Sequence, residues 1–255
     1  MQHWTKRLFA IAAPLLLTGC LWGPGKFNSD LTLKKDGSFV LDYRGELVLQ
    51  VPDDQSTQPW TNAKAKCEDN GKARPCKTSE IADQKAEYER KRQDSEQMAK
   101  MFGLPGLDDA SNRAFAAKLM KYAGWRSVTY VGKGVFNVDY HFEGRATQDF
   151  LFPALPDNNM LIPFVALRRR ADGSVLVTAP AFTGGSGPMN PGSSGAGEVA
   201  KGPVSRAQGR FTIVTDGEIL TNNSEDGAAP HPFGRQLHWD VDSGSKKIPE
   251  ALIRL

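Results

Sequence analysis

The chain has 255 residues, a formal net charge of +3, 40% hydrophobic and 24% charged residues. That balance is that of a folded globular protein and excludes wholesale disorder. The near-neutral charge gives no basic surface of the kind that binds nucleic acid, and the length buries a core without needing metals or a dense disulfide framework.

The first twenty residues differ from all that follow. Lys6 and Arg7 form a basic head, and Leu8 to Leu17 is an apolar run, of signal-peptide length and short of the about 20 residues that span a bilayer. Leu17, Thr18 and Gly19 then place an apolar residue and two small ones before Cys20. This pattern resembles the lipobox of bacterial lipoprotein precursors. The resemblance implies a signal peptide over 1–19, cleavage before Cys20, a diacylglycerol on its thiol and acylation of the freed amine. Each buried CH₂ contributes about 0.8 kcal/mol, so two or three acyl chains make a stable anchor where one is marginal. Residues 20–26, with Gly23-Pro24-Gly25, then read as lipid anchor and tether, and 27–255 as one β-rich domain. Leu21 in place of an aspartate after the cysteine resembles precursors sorted to the outer membrane, which places the domain in the periplasm. The competing reading is an ordinary signal peptide, or an uncleaved anchor, with a chance cysteine.

Phe27, Ser29, Leu31 and Leu33 alternate with Asn28, Asp30, Thr32 and Lys34, the pattern of a half-buried strand. Asp36-Gly37 reverses the chain into a second alternating run from Phe39 to Leu49, so a β-hairpin is expected. Two cysteines remain once Cys20 is assigned to lipid. Cys67 and Cys76 flank Asn70-Gly71, a turn that brings them within bridging distance, and an oxidising compartment favours a disulfide. A metal site or a redox dithiol finds no CxxC and no nearby histidine to support it.

The segment from Thr78 to Phe102 is dense in helix formers and free of glycine and proline. Its apolar residues are sparse, so most of its surface is expected in solvent. After Gly103 to Gly106, a second helix capped by Asp108 should run to Tyr122 with Phe115, Leu119 and Tyr122 inward, stopped by Gly124. A helical hairpin inserted at about 77–124 follows.

Alternation resumes with Val128 and Tyr130, then with Phe136, Val138, Tyr140 and Phe142 beyond Gly132-Lys133-Gly134. Met160 to Arg168 and Ser174 to Thr178 flank an Ala171-Asp172-Gly173 turn. Residues 183–203 are rich in glycine, serine and proline and read as a flexible loop. Arg210 to Val214, Glu218 to Thr221 across Asp216-Gly217, and Gln236 to Val241 complete about eight short strands. The expected fold is mainly β (α+β), a curved antiparallel sheet or open barrel with the helical hairpin inserted.

Catalytic motifs fail on inspection. The sequences nearest to GxSxG, at Gly184 to Pro188 and Gly192 to Ala196, lack the second glycine. HExxH, a Walker A sequence and GxGxxG are absent. His141, His231 and His238 read as solvated strand or loop residues rather than ligands. No catalytic residue, metal ligand or cofactor is therefore assigned. Arg168-Arg169-Arg170 is a candidate for anionic headgroups against a solvated strand end, and the stripe Phe136, Tyr140, Phe142 for a lipid cavity against plain core.

The run Phe211 to Asn223, with the later Gly234 to Asp242 and the opening hairpin Leu31 to Tyr43, resembles LppM-like bacterial lipoprotein domains. That resemblance implies an envelope lipoprotein with an antiparallel sheet flanked by helix, holding a lipid or glycolipid. The disulfide-bearing helical insertion, the glycine-rich loop and the lack of a C-terminal membrane helix depart from the pattern. The expected function is thus a non-enzymatic, membrane-anchored lipoprotein binding a hydrophobic ligand or another envelope component. Alternatives are an assembly lipoprotein docking on a protein complex through its helical hairpin, and an envelope hydrolase of unrecognised type.

Overall fold

A computed structural model of the protein describes residues 22–49, 60–69, 71–101, 108–155, 163–183, 185–186 and 204–255. The fold is mainly β, as its alternating segments predict. Strands β1 (Trp22–Leu33) and β2 (Ser38–Leu49) form the long opening hairpin. Gly37 takes φ +81° at its turn, and the Asp36 carboxylate accepts from the Ser38 N–H and hydroxyl, which ties the turn without a partner from elsewhere. Strands β5 (Trp125–Gly132) and β6 (Val135–Arg145) add to β2, while β12 (Gln208–Thr215), β15 (Gly234–Val241) and β14 (Ala229–His231) add on the β1 side. The resulting seven-stranded sheet has the order β14-β15-β12-β1-β2-β6-β5.

A second sheet of five strands has the order β13-β16-β9-β8-β7. It consists of β7 (Phe150–Phe152), β8 (Val165–Arg169), β9 (Ser174–Thr178), β13 (Glu218–Asn222) and β16 (Glu250–Arg254). The sheets face each other across an aromatic layer. Tyr43 meets Phe152 at 5.1 Å between ring centroids, Phe39 meets Phe150 at 4.9 Å, and Phe27 stacks on Phe182 at 4.1 Å. Leu31, Leu41, Ile213 and Leu237 from one sheet and Val175, Val177, Ala251 and Ile253 from the other fill the same core. Burying each such Leu, Ile or Val side chain contributes about 1.5–3 kcal/mol, and the alternation along the strands is what points them to one side.

Helix α1 (Thr78–Met101) and helix α2 (Asp109–Leu119) behave differently from each other. Asp108 caps α2 by accepting from the Ser111 N–H, and Phe115, Ala116 and Leu119 are buried. Among the described residues only this second helix contributes to the core, so the expected 77–124 insertion is part scaffold and part exposed helix. Tyr122 is 47% exposed, because the helix ends at Leu119 and the next turn leaves the face that Phe115 and Leu119 share.

Three further expectations are corrected. Residues 22–26 are not a tether: they begin β1, with Trp22 paired to Leu49 and Pro24 to Leu47, and Trp22 is only 1% exposed. Its indole stacks on Phe115 at 5.3 Å and lies against Phe136 at 5.6 Å, and burial of so large a ring outweighs the Gly-Pro-Gly preference for turns. Pairing is not antiparallel throughout, since β1 and β12 run parallel from Lys26/Gln208 to Leu33/Thr215. Asp216-Gly217 does not close a hairpin between its neighbours. It carries the chain from the seven-stranded sheet to the five-stranded one, with the Asp216 carboxylate accepting from the Lys35 N–H at 2.7 Å. Strands β7, β14 and β16 were not expected from the sequence, and residues 156–162, including Met160, lie outside the described residues.

Candidate functional site

Residues 60–101 build a distinct feature. Strands β3 (Cys67–Asp69) and β4 (Lys72–Arg74) pair through a tight turn with Gly71 at φ +77°, and Cys67 and Cys76 are joined by a disulfide with Cα atoms 5.3 Å apart. The bridge sits at the base of α1 and ties the loop to it. Arg74 donates from both terminal nitrogens to Glu80. Glu80 also accepts from the Lys77 N–H at 2.8 Å, the half of a capping box that a first-turn glutamate supplies. The Arg74 guanidinium first, and then the Lys77 N–H, hold the Glu80 carboxyl down at about 2. Gln84 exchanges hydrogen bonds with the Lys66 main chain in both directions at 3.1 Å. Trp60 packs against Tyr88 at 5.5 Å, and the Lys64 ammonium lies over the same Tyr88 ring.

Ile81, Gln84 and Tyr88 are thus the half-buried line of α1, spaced as one helical stripe. The rest of the mapped surface is polar and wet. Lys85–Glu89, Glu87–Lys91 and Arg92–Glu96 pair at i, i+4, solvent-screened contacts that each favour the helix weakly. Among the described residues neither sheet packs along α1. At about 1.5 Å per residue its 24 residues extend roughly 36 Å. The arrangement is a long polar helix whose N-terminal end carries a covalently closed base.

A second cluster lies on the solvent face of the seven-stranded sheet, where the register sets Thr212, Asp30, Asp42 and His141 side by side. His141 places Nδ1 2.8 Å from Asp42 and Nε2 3.2 Å from Glu143. The Asp42 bond raises the His141 pKa; burial opposes it, and the Glu143 bond adds a lesser push in the same direction as Asp42. An aspartate behind an imidazole is half of a hydrolytic triad, but here the far nitrogen meets a carboxylate where a nucleophilic hydroxyl would stand. The arrangement is an imidazole clamped between two carboxylates, and its bond to Asp42 ties strand β6 to β2. Glu143 was legible as the same-face neighbour of His141, two residues along the strand; Asp42 needed the register. His238 similarly reaches Asp226 at 3.1 Å, and His231 accepts from the Phe233 N–H. Among the described residues no group of three or more His, Cys, Asp or Glu stands ready to hold a metal.

The other sequence candidates separate. Phe136 and Tyr140 are core and Phe142 is half-buried at its edge: Phe136 lies against Trp22, Phe115 and Tyr130, Tyr140 against Phe152 at 4.4 Å, and Phe142 against Phe150 at 5.1 Å. Their faces are already occupied by other rings. Arg168 and Arg170 are exposed at the β8–β9 turn, while Arg169 donates to the Ala146 carbonyl. Ala146 in turn donates to Gly37, so the arginines sit at the β1–β2 turn, at the opposite end of β1 from Trp22. The glycine-rich segment is closed at its base by β10 (Gly185–Ser186) pairing with β11 (Val204–Ser205), and 187–203 lie outside the described residues. So do Leu17, Thr18, Gly19 and Cys20.

No family model matches the chain, and no relative is found for it among curated proteins.

Proposed function

We propose that this protein is a non-enzymatic envelope lipoprotein that docks on another envelope protein through the α1 arm. The observation that carries the reading is the arm itself: a 24-residue helix, bridged at its base and laced by ion pairs, with no packing face offered to it by either sheet among the described residues. The i, i+4 ion pairs help to keep the exposed helix formed, so its surface is already ordered for a partner to meet. Its partner-facing chemistry is charged and polar, so the contact belongs to the wet, electrostatically steered class of interface.

The address rests on the sequence. A basic head, an apolar run and Leu17-Thr18-Gly19-Cys20 support lipidation of Cys20, and Leu21 supports placement at the outer membrane, facing the periplasm. The likeness to LppM-like domains supports the same class of protein. A hydrophobic ligand, which that likeness also implies, would have to sit elsewhere than against Phe136, Tyr140 and Phe142.

The test is site-specific photocrosslinking in intact cells from the exposed α1 positions Asp83 and Lys91, with Thr32 on the sheet as control. A discrete heavier adduct from α1, absent from Thr32, is expected. Replacing residues 60–101 by a Gly-Ser linker should remove the partner from affinity-purified protein and leave the sandwich folded. Adducts from the sheet alone, or a partner retained without the arm, would reject the docking assignment.

A further inference from the structure

We propose that one end of the sandwich, built by the start of β1, the end of β2 and the β5–β6 turn, rests directly on the membrane surface and sets the orientation of the molecule. The proposal builds on the lipid-anchor reading above and goes beyond it, because anchored domains on a free tether have no fixed orientation.

The argument is one of length. Cys20 is two residues before Trp22, and two extended residues reach at most about 7 Å. The headgroup layer on one side of a bilayer is roughly 5–7 Å deep. Trp22 therefore lies at the headgroup surface when Cys20 carries acyl chains. Slack cannot come from the strand, since Trp22 is buried against Phe115 and Phe136 and paired with Leu49. Leu49 donates to the Gly134 carbonyl at 2.7 Å, which brings the Gly132-Lys133-Gly134 turn to the same level.

The residues exposed there suit a headgroup layer. Lys133, at the apex with φ +52°, is exposed and offers an ammonium to lipid phosphate. Val131 is 54% exposed, an apolar contact for the boundary below. Among the described residues strands β1, β2, β5 and β6 reach this end, with α2 beside them through Phe115 on Trp22 and Asp109 accepting from the Tyr130 hydroxyl, whereas β12 begins only opposite Lys26. Along the 12 residues of β1 the opposite pole lies roughly 36 Å away. That pole carries Arg168 and Arg170 and the 76% exposed Phe233. The arginine triplet thus faces away from the anchoring leaflet.

The experiment uses the full lipidated chain in phosphatidylcholine/phosphatidylglycerol vesicles, with a fluorophore on Lys133→Cys or Ala171→Cys and a quencher on the lipid headgroups. Expected is at least a twofold loss of fluorescence at position 133 and none at 171. A spacer of about twelve Gly-Ser residues before Trp22, spanning about 20 Å, should abolish quenching at 133 while the protein still floats with the vesicles. Flotation with equal or reversed quenching overturns the orientation alone. Quenching that survives the spacer overturns the length argument. Failure to float overturns the anchor reading, and the orientation with it.

Discussion

Trp22 closes the N-terminal end of the core, and its removal is the sharpest single-residue probe of the fold. Trp22→Ala is expected to lower stability by about 3–5 kcal/mol, the usual range for deleting a buried tryptophan, measured by urea unfolding of the chain from Leu21 onward. A tether residue would change it by less than about 0.5 kcal/mol. The role of Trp22 was not legible in the sequence, because Phe115 and Phe136, which bury it, lie about a hundred residues on while Gly23-Pro24-Gly25 beside it signals a turn. His141 gives a pH dependence of defined sign. Bonding to Asp42 raises its pKa in the folded state, so its contribution is complete below the ordinary imidazole value and is lost as pH rises through the folded-state value. Asp42→Asn should therefore cost more stability at about pH 5 than at about pH 8. Equal losses at the two pH values, read from unfolding curves, would remove His141 from the account.

At the level of elements, the disulfide and the sandwich should prove separable. The chain-entropy estimate for closing so short a loop is about 2–3 kcal/mol, and it acts on the base of the arm. Replacing Cys67 and Cys76 by serine is expected to speed tryptic cleavage between Lys77 and Met101 several-fold and leave the main thermal transition of the sandwich in place. A fall in that transition of more than a few degrees would place the bridge in the core instead. The two helices show how far sequence pattern reaches. α2 was legible because Asp108, Phe115 and Leu119 carry a cap and a stripe, and its buried half follows from them. α1 was equally legible as a helix, and its sparse stripe of Ile81 and Tyr88 announced its exposure. What pattern did not carry was which strands become neighbours. The parallel union of β1 with β12 joins segments some 180 residues apart, and Asp216-Gly217 looks like a hairpin turn whether the chain folds back in one sheet or crosses to another. Three-residue β7 is too short for alternation to register, whereas β16 carries a short alternation in Ala251 and Ile253 that was legible and not read.

For the whole molecule, two poles and an arm organise the account. One pole carries the buried start of β1 and, with Cys20 acylated, the membrane; the other carries the turns at Gly37 and Gly173 and the exposed arginines; α1 is the long polar helix that the docking proposal assigns to a partner. Composition and the alternating strands made the mainly β class readable, and the stacking of two sheets around one aromatic layer is the part that required three dimensions. The central claim is that Cys20 is the lipid-bearing N-terminus of the mature protein. The measurement that tests it most directly is the intact and N-terminal peptide mass of the chain extracted from bacterial membranes, beside Cys20→Ser. The account predicts a peptide beginning at Cys20 and carrying a diacylglycerol and an amide-linked acyl chain, lost together with membrane association in the serine variant. An unmodified N-terminus at any other residue, on a chain released without detergent, would contradict it.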